Sequence, residues 1–288
     1  MGTSDFAVTV LERLAASPHR PALVVTRPDR PRGRGRRPAP PPAAVAAGAL
    51  GIDLLQPERL NDALAEIAAA QPTAVCVCAY GALVREPLLS AHEILNVHPS
   101  VLPRWRGAAP IERALMAGDE ETGVSIIRLT AGLDSGPICA VESTPIAAGD
   151  TYGTLAPRLA RIGAELLVAS LDGSPPFARQ TEDGLTYAEK IGREDRLLDP
   201  GRPAAELERV VRALDPHIGA RIGELRVCAA RVADTATGPG GDPPPGELAA
   251  RDGRLLFGAA GGALELLRVQ RAGGRPMEAA DYLRGHAV

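Results

Sequence analysis

The stretch Leu95-Asn96-Val97-His98-Pro99-Ser100-Val101-Leu102-Pro103-Arg104-Trp105-Arg106-Gly107-Ala108-Ala109-Pro110 ends a short apolar run, Ile94 to Val97, with an amide and an imidazole two positions apart. In an extended strand residues i and i+2 point to the same face, so Asn96 and His98 are expected to project together into one pocket. The segment after them is rich in Pro, Arg and Gly and cannot continue a strand, which predicts a loop beside the pair. A second piece, Gly132-Leu133-Asp134-Ser135-Gly136, holds a carboxylate in a glycine-bounded turn. Taken alone, Asn-x-His at a strand end is more often a satisfied polar pair at a sheet edge than a catalytic one. The two pieces together read as one active site carried by Asn96, His98 and Asp134. One His, one Asp and an Asn fall short of the usual ligand sets, so no metal is expected.

Outward from that stretch the chain alternates strands and helices. Upstream, a helix is expected from Asp5, capped by Asp5, with Phe6, Val10, Leu11 and Leu14 on one side. Ala22 to Thr26 is the continuous apolar run of a buried parallel strand. A helix over 43–50, a strand over 52–55, Leu60, Leu64 and Ile67 at helical spacing, and a strand over 73–79 ending in Tyr80-Gly81 complete the approach. Downstream come a helix over 111–117, a strand over 124–129 and a helix face of Leu155, Leu159, Ile162 and Leu166. This order predicts an α/β fold with a doubly wound, mostly parallel, Rossmann-like sheet. Ligands of such sheets bind beyond the carboxyl ends of the strands, where Tyr80, Asn96 and His98 fall. After Gly173 the texture changes to an extended connector. Leu207, Val210, Val211 and Leu214 form one amphipathic helix, and the short apolar runs beyond are punctuated by Asp252-Gly253 and Gly261-Gly262, which are hairpin signals. The expected organisation is a domain over 1–172, a connector over 173–202 and a small β-rich domain over 203–288.

A length of 288 residues suits two domains, and a hydrophobic fraction of 45% is enough for a proper core. No apolar run approaches the ~18 residues of a membrane span. Nor is there a signal-peptide pattern, and Met1-Gly2-Thr3-Ser4-Asp5-Phe6 lacks the Ser or Thr that myristoylation requires. Cys76, Cys78, Cys139 and Cys228 show no metal-type doubling; Cys76 and Cys78 flank Val77 in a strand-like run and read as small buried hydrophobes. A cytoplasmic protein is expected. The net charge of -3 by itself predicts no nucleic-acid partner, but Lys190 is the only lysine, so basic function falls to arginine. Arg27 to Arg37 gathers six arginines against one aspartate. A solvated loop is the ordinary reading of such a segment. Here it follows the strand over 22–26, so it overhangs the same edge as Asn96 and His98, and Gly-spaced arginines suit phosphate contacts.

Asn96-Val97-His98, Ser100-Val101-Leu102-Pro103, Arg106-Gly107-Ala108-Ala109-Pro110 and Gly132-Leu133-Asp134-Ser135-Gly136 together resemble the folate-dependent formyltransferases. The resemblance runs over nearly all of the chain, from Gly2-Thr3-Ser4-Asp5-Phe6-Ala7 onward. It implies 10-formyltetrahydrofolate as formyl donor, with the pterin near Tyr80, Gly81 and the loop Ser100, Val101, Leu102 and Pro103. It implies methionyl-initiator tRNA as acceptor, met by Arg27, Arg30, Arg32, Arg34, Arg36 and Arg37, with Arg34 reaching deepest. It further implies a C-terminal OB-like small β-barrel that binds the tRNA, and a monomer. Trp105 and Arg106 are second-tier candidates that equally suit packing under the loop. Pro99 stands where the family usually has Gly, and Val101 where it has Leu. The family's Gly-Thr-x-x-Phe-Ala word follows a first hydrophobic strand, whereas here it begins at Gly2. That first sheet strand is expected to be missing, leaving a weakened sheet and a natural start upstream of Met1.

Formyl transfer to an amine is acyl transfer, in which the carbonyl oxygen gathers negative charge in a tetrahedral intermediate. Asn96 and His98 supply donors for that oxygen, and losing one such donor typically costs ~100- to 1000-fold in rate. Asp134 beside His98 fixes the imidazole tautomer and can relay a proton through a water, a step usually worth ~100- to 10,000-fold. The alternatives are a formyltransferase acting on an amino sugar nucleotide, a formyltetrahydrofolate hydrolase, and a non-catalytic RNA-binding relative. The first two need neither the arginine segment nor the C-terminal domain; the intact Asn96, His98 and Asp134 argue against the third.

Overall fold

Asp5 does begin a helix. α1 (Asp5–Ala15) buries Phe6, Ala7, Val10, Leu11 and Leu14, although the N-cap is Ser4 and no side-chain capping bond forms. The structure is a computed structural model that describes residues 1–32, 37–173, 175–234 and 241–286. The chain divides into two units. The first takes Met1–Pro110, Glu121–Pro145 and Ala156–Ala188; the second takes Ile111–Glu120, Ile146–Leu155 and Glu189–Val288. The second unit thus begins within the expected connector, before 203, and includes two earlier segments.

After α1 the chain forms β1 (Leu23–Val25), β2 (Arg30–Arg32), β3 (Arg37–Ala39), α2 (Pro42–Leu50), β4 (Asp53–Leu55), α3 (Leu64–Ala69) and β5 (Val75–Cys78). There follow α4 (Leu88–Ala91), β6 (Ile94–His98), β7 (Arg106–Gly107), α5 (Pro110–Ala117), β8 (Glu121–Arg128), β9 (Ile138–Pro145), α6 (Tyr152–Gly173) and β10 (Tyr187–Ala188). β1 pairs with β4 in parallel, and so does β5 with β6. β8 lies antiparallel to β6, with Ser125 opposite His98, and β9 antiparallel to β8. The expectation of a mostly parallel sheet is therefore corrected to a mixed one. β8 enters beside His98, at the carboxyl end of β6, and so runs back along it. The link from β8 to β9 is in turn too short for the crossover a parallel pair needs.

Met1 and Gly2 stand between β1 and β5. The Gly2 N–H donates to Val25 O at 3.1 Å, and the Cys78 N–H donates to Met1 O at 2.9 Å. The place expected to lack a strand altogether therefore holds two residues of one. Behind them a cavity of about 370 Å³ continues along both strands, lined by Leu11, Leu14, Leu23, Ile67, Val75 and Cys76 among others. The Met1 ammonium lies at this cavity and donates to Cys76 O at 2.6 Å. Burial holds its pKa below the ordinary N-terminal value.

The second unit adds α7 (Ala204–Leu214), β11 (Ala220–Ile222), β12 (Leu225–Val232), β13 (Leu248–Arg251), β14 (Arg254–Ala259), β15 (Gly262–Gln270), β16 (Met277–Glu278) and α8 (Ala279–Gly285). Its sheet runs β11-β12-β15-β14-β13 with β16 on β15, all antiparallel. Leu207, Val210, Val211 and Leu214 of α7, the face expected from their spacing, pack with Val227, Leu255, Phe257, Leu264 and Leu266. Asp252 (φ 50°) and Gly253 (φ 75°) make the turn between β13 and β14, as two left-handed residues should. The recorded pairings form an open path, so no closed barrel is seen among the described residues. No helix among those residues is long and apolar enough to cross a membrane.

The cavity beside Met1 yields the first prediction. A lowered amine pKa means that the unfolded chain binds the extra proton, so stability present above about pH 8 is lost as the pH falls. The melting temperature should rise from pH 6.5 to pH 8, below the range where the thiols that burial keeps protonated, Cys76 and Cys78 among them, lose stability as the unfolded chain ionises. An apolar extension of four or five residues before Met1 should raise it by several degrees and abolish that pH dependence. Calorimetry of both lengths at the two pH values checks this, and identical melting curves would show that the cavity does not accept a strand.

Candidate active site

Every residue of β6 is buried. Strand alternation puts Leu95 and Val97 on one face, and Asn96 and His98 on the other. His98 is 3% exposed, and its Nε2 lies 2.9 Å from Trp105 O. A carbonyl only accepts, so Nε2 carries the proton. Nδ1 is left facing Asp134 Oδ2 at 3.6 Å, close enough for charge to act between them but longer than a hydrogen bond. Among the described residues the Asn96 side-chain amide takes no protein partner, although Asn96 is only 9% exposed. Its donors remain available.

Asp134 is held from the other side by the Gly107 N–H, which donates to Oδ2 at 2.9 Å. Both loops that meet here are backbone-strained. Trp105 (φ 66°) and Asp134 (φ 44°) occupy the left-handed region, at a cost of about 1–3 kcal/mol each. The strain is offset by bonds to a distant strap of chain. The Trp105 N–H donates to Thr186 Oγ1 at 2.9 Å, the Arg106 N–H to Thr186 O at 3.0 Å, and β7 pairs with β10. Two glycines are required by close approach. A Cβ at Gly107 (φ 128°) would lie 2.6 Å from Ala188 O, and one at Gly136 would lie 1.8 Å from Arg128 O.

The other expected residues divide. Ser100 is fully buried, its Oγ donates to Arg104 O at 2.6 Å, and Ser125 Oγ both donates to Ser100 O and accepts from the Leu102 N–H. Ser100 and buried Leu102 thus shape their loop, while Val101 and Pro103 are half-buried along it. Tyr80 packs in the core with Val25, Ile67 and Leu88. Burial pushes its phenol pKa up, opposed by the Arg27 guanidinium, and Gly81 turns the chain away after it at φ 76°. Arg106 is buried, and its Nε and Nη2 donate to Gln180 Oε1 at 2.9 and 2.7 Å.

Within the arginine segment β2 and β3 pair antiparallel, with Arg30 opposite Ala39, Pro31 opposite Pro38 and Arg32 opposite Arg37. Facing prolines suit a position whose N–H groups the ladder does not use. Arg30 and Arg37 are exposed, Arg27 is half-buried, and Arg30 pairs with Glu58 at 3.1 Å. Arg34 and Arg36 lie outside the described residues, as does the side chain of Arg32. Among the described residues no cluster of His, Cys, Asp and Glu is placed to hold a metal ion. Sequence reasoning missed Thr186 and Gln180, which sit in a stretch without periodicity and carry no local signal.

A buried imidazole with one nitrogen committed and the other facing a carboxylate, beside an uncommitted amide, can stabilise an oxyanion and move a proton. Known proteins point the same way. The family model described as formyl transferase matches residues 1–171, and that described as formyl transferase, C-terminal domain, matches 190–287. The chain is 48% identical to a methionyl-tRNA formyltransferase of Halorhodospira halophila over 308 residues, covering 100% of this chain and 95% of the relative. It is 46% identical to one of Rubrobacter xylanophilus, covering 100% and 96%. An N-formyltransferase from Helicobacter canadensis, solved with folinic acid and dTDP-3-aminofucose, superposes at a TM-score of 0.66 and 15% identity over 92% of this chain and 96% of that one. HypX from Aquifex aeolicus with tetrahydrofolic acid gives 0.60 at 18% identity, over 82% and 43%. At such identities the two structures speak for the fold alone.

The strap against β7 is testable by overpacking it. Gly107→Ala should destabilise the protein by about 2–6 kcal/mol, combining a clash of ~1–3 kcal/mol with strain of ~1–3 kcal/mol. A urea titration followed by circular dichroism measures the loss. An unshifted midpoint would mean that the Ala188 carbonyl yields freely.

Proposed function

Because this chain belongs to the formyl transferase family, we infer that it transfers a formyl group from 10-formyltetrahydrofolate to the amino group of methionyl-initiator tRNA. The observation that carries the chemistry is the uncommitted Asn96 amide on the same strand face as the His98–Asp134 pair. Bound folate supplies the formyl carbon. The Asn96 amide donates to the formyl oxygen as that oxygen gains charge, with His98 as the second polar group at the carbon. Asp134 takes the proton lost by the amine, through a water in contact with His98 Nδ1, and the same path returns it to the folate nitrogen as the bond from that nitrogen to the formyl carbon breaks and tetrahydrofolate leaves. No covalent enzyme intermediate is needed.

The folate is held by the Tyr80-Gly81 turn and by the loop Ser100, Val101, Leu102 and Pro103. With the Tyr80 ring in the core and Ser100 Oγ committed to its own loop, these contacts come from backbone groups and from half-buried Val101 and Pro103. A polar pterin edge needs such donors and acceptors. The tRNA backbone is met by Arg27, Arg30, Arg32, Arg34, Arg36 and Arg37. Their support is charge density and the exposure of Arg30 and Arg37. We read the second unit as the tRNA-binding, OB-like domain of the family; its antiparallel sheet, a five-strand path with β16 on β15, and the α7 and α8 residues packed with it support this. The enzyme acts in the cytoplasm as a monomer and without a metal.

Transfer of labelled formyl from 10-formyltetrahydrofolate to charged initiator tRNA, with an amino sugar nucleotide as control acceptor, tests the reading; label in the control alone would overturn it. Asn96→Ala, His98→Ala and Asp134→Ala should each lower kcat by ~100-fold or more with folate binding largely kept, because the three act on charge that develops, or on a proton that moves, in the transition state. The losses should not add. Near-normal turnover by His98→Ala would remove this site from consideration. Replacing Arg34, Arg36 and Arg37 by Ala should weaken tRNA binding and flatten its salt dependence by roughly 0.7–0.9 log units of slope per lost phosphate contact. An unchanged slope in a binding titration would show these arginines to be merely solvated.

A further inference from the structure

Asp134 reaches His98 by an unfavourable route. Leu95 is opposite Arg128 in the β6–β8 register, so β8 leaves the sheet three residues short of His98, about 10 Å away at strand rise. The loop over 129–137 must fold back to return the carboxylate. A loop of that length keeps many conformations unless something pins it. The carboxylate has the Gly107 N–H, but one bond to a side chain leaves the backbone free to swing.

Gln180 pins that backbone. Its Nε2 donates to Asp134 O and to Gly136 O, each at 2.7 Å. Its Oε1 accepts the two Arg106 bonds at 2.9 and 2.7 Å. All four hydrogen-bonding positions of the amide are thereby filled. The orientation is fixed as well, since a flipped amide would turn N–H groups on a guanidinium and its oxygen on two carbonyls. Arg106 is joined through the chain to Gly107, which holds the Asp134 carboxylate. The bonds close a ring: Asp134 carboxylate, Gly107, Arg106, Gln180, Asp134 carbonyl.

We propose that Gln180 is a positioning residue for formyl transfer, which clamps the Asp134–Gly136 backbone to Arg106 so that the Asp134 carboxylate stays within reach of His98. The proposal rests on the functional reading above. It separates two roles of one side chain. Gln180→Glu keeps, and charges, the pairing with Arg106 but turns oxygens toward both loop carbonyls. Gln180→Met keeps the length and loses every bond.

The test is steady-state formyl transfer to charged initiator tRNA by wild type, both variants, Asp134→Asn and the Asp134→Asn, Gln180→Met double variant. Thermal unfolding alongside confirms that each is folded. Both Gln180 variants should lose on the order of 10- to 100-fold in kcat, the scale expected for misplacing a catalytic group by about an ångström. KM for folate and for tRNA should stay within about twofold. In the Asp134→Asn background, Gln180→Met should lower kcat no further. Wild-type kcat in Gln180→Glu would overturn the proposal, because anchoring Arg106 would then be the whole role. Full additivity with Asp134→Asn would overturn it too, by showing an effect that does not pass through Asp134. No transfer by the wild-type chain would overturn the functional reading and this proposal with it, and is seen before any variant is compared.

Discussion

The hydrogen bond from the Gly107 N–H to the Asp134 carboxylate is the interaction on which the site depends. It joins two loops far apart in the chain, each strained in the left-handed region. Such a charge-assisted bond is worth about 1.5–3 kcal/mol, the same size as the strain at Trp105 or Asp134 alone. It cannot hold both loops unaided. The β7–β10 pairing, the Thr186 bonds and the Gln180 clamp supply the rest. The strap over 178–188 is therefore part of the site, although none of its residues needs to touch a substrate.

The mixed sheet qualifies the rule that ligands bind beyond the carboxyl ends of parallel strands. β6 has the geometry the rule requires, with His98 at its carboxyl end. Asp134 does not follow it, because β8 runs the other way and its own end is remote. The carboxylate arrives by a fold-back that only glycine permits at Gly136, where a Cβ would meet Arg128 O. The glycine-bounded word around Asp134 thus encodes a return path as well as a tight turn.

Much of this was legible in the sequence, for reasons that particular elements show. The period of two in Leu95-Asn96-Val97-His98 gave the shared face directly, and the spacing of Leu207, Val210, Val211 and Leu214 gave α7. β9 escaped because half-exposed Ile138–Pro145 lacks a clean alternation. β7 and β10 have two residues each, too few for any period to register. Gln180 is a single polar residue in an aperiodic stretch, and its role appears only when the chain folds two loops against it. The direction of β8 was equally hidden, since apolar pattern marks a strand but not which way it runs.

The first three residues matter beyond their number. β1 leads into the arginine segment, β5 to Tyr80 and β6 to Asn96 and His98, yet these strands lie in two separate sheets. What joins them at their edges is Gly2 N–H to Val25 O, Cys78 N–H to Met1 O, and Met1 N to Cys76 O. Thr3 adds a bond from its Oγ1 to Tyr80 O at 2.8 Å. Helix packing of α1 on α2 and β5 covers this join from one side. Under the function proposed above, the spacing between a phosphate met by the arginines and an amine brought to His98 depends on a junction of a few backbone bonds beside this cavity. A strand through that cavity would stiffen the junction along its length, so stability and the geometry of acceptor delivery are set at the same place.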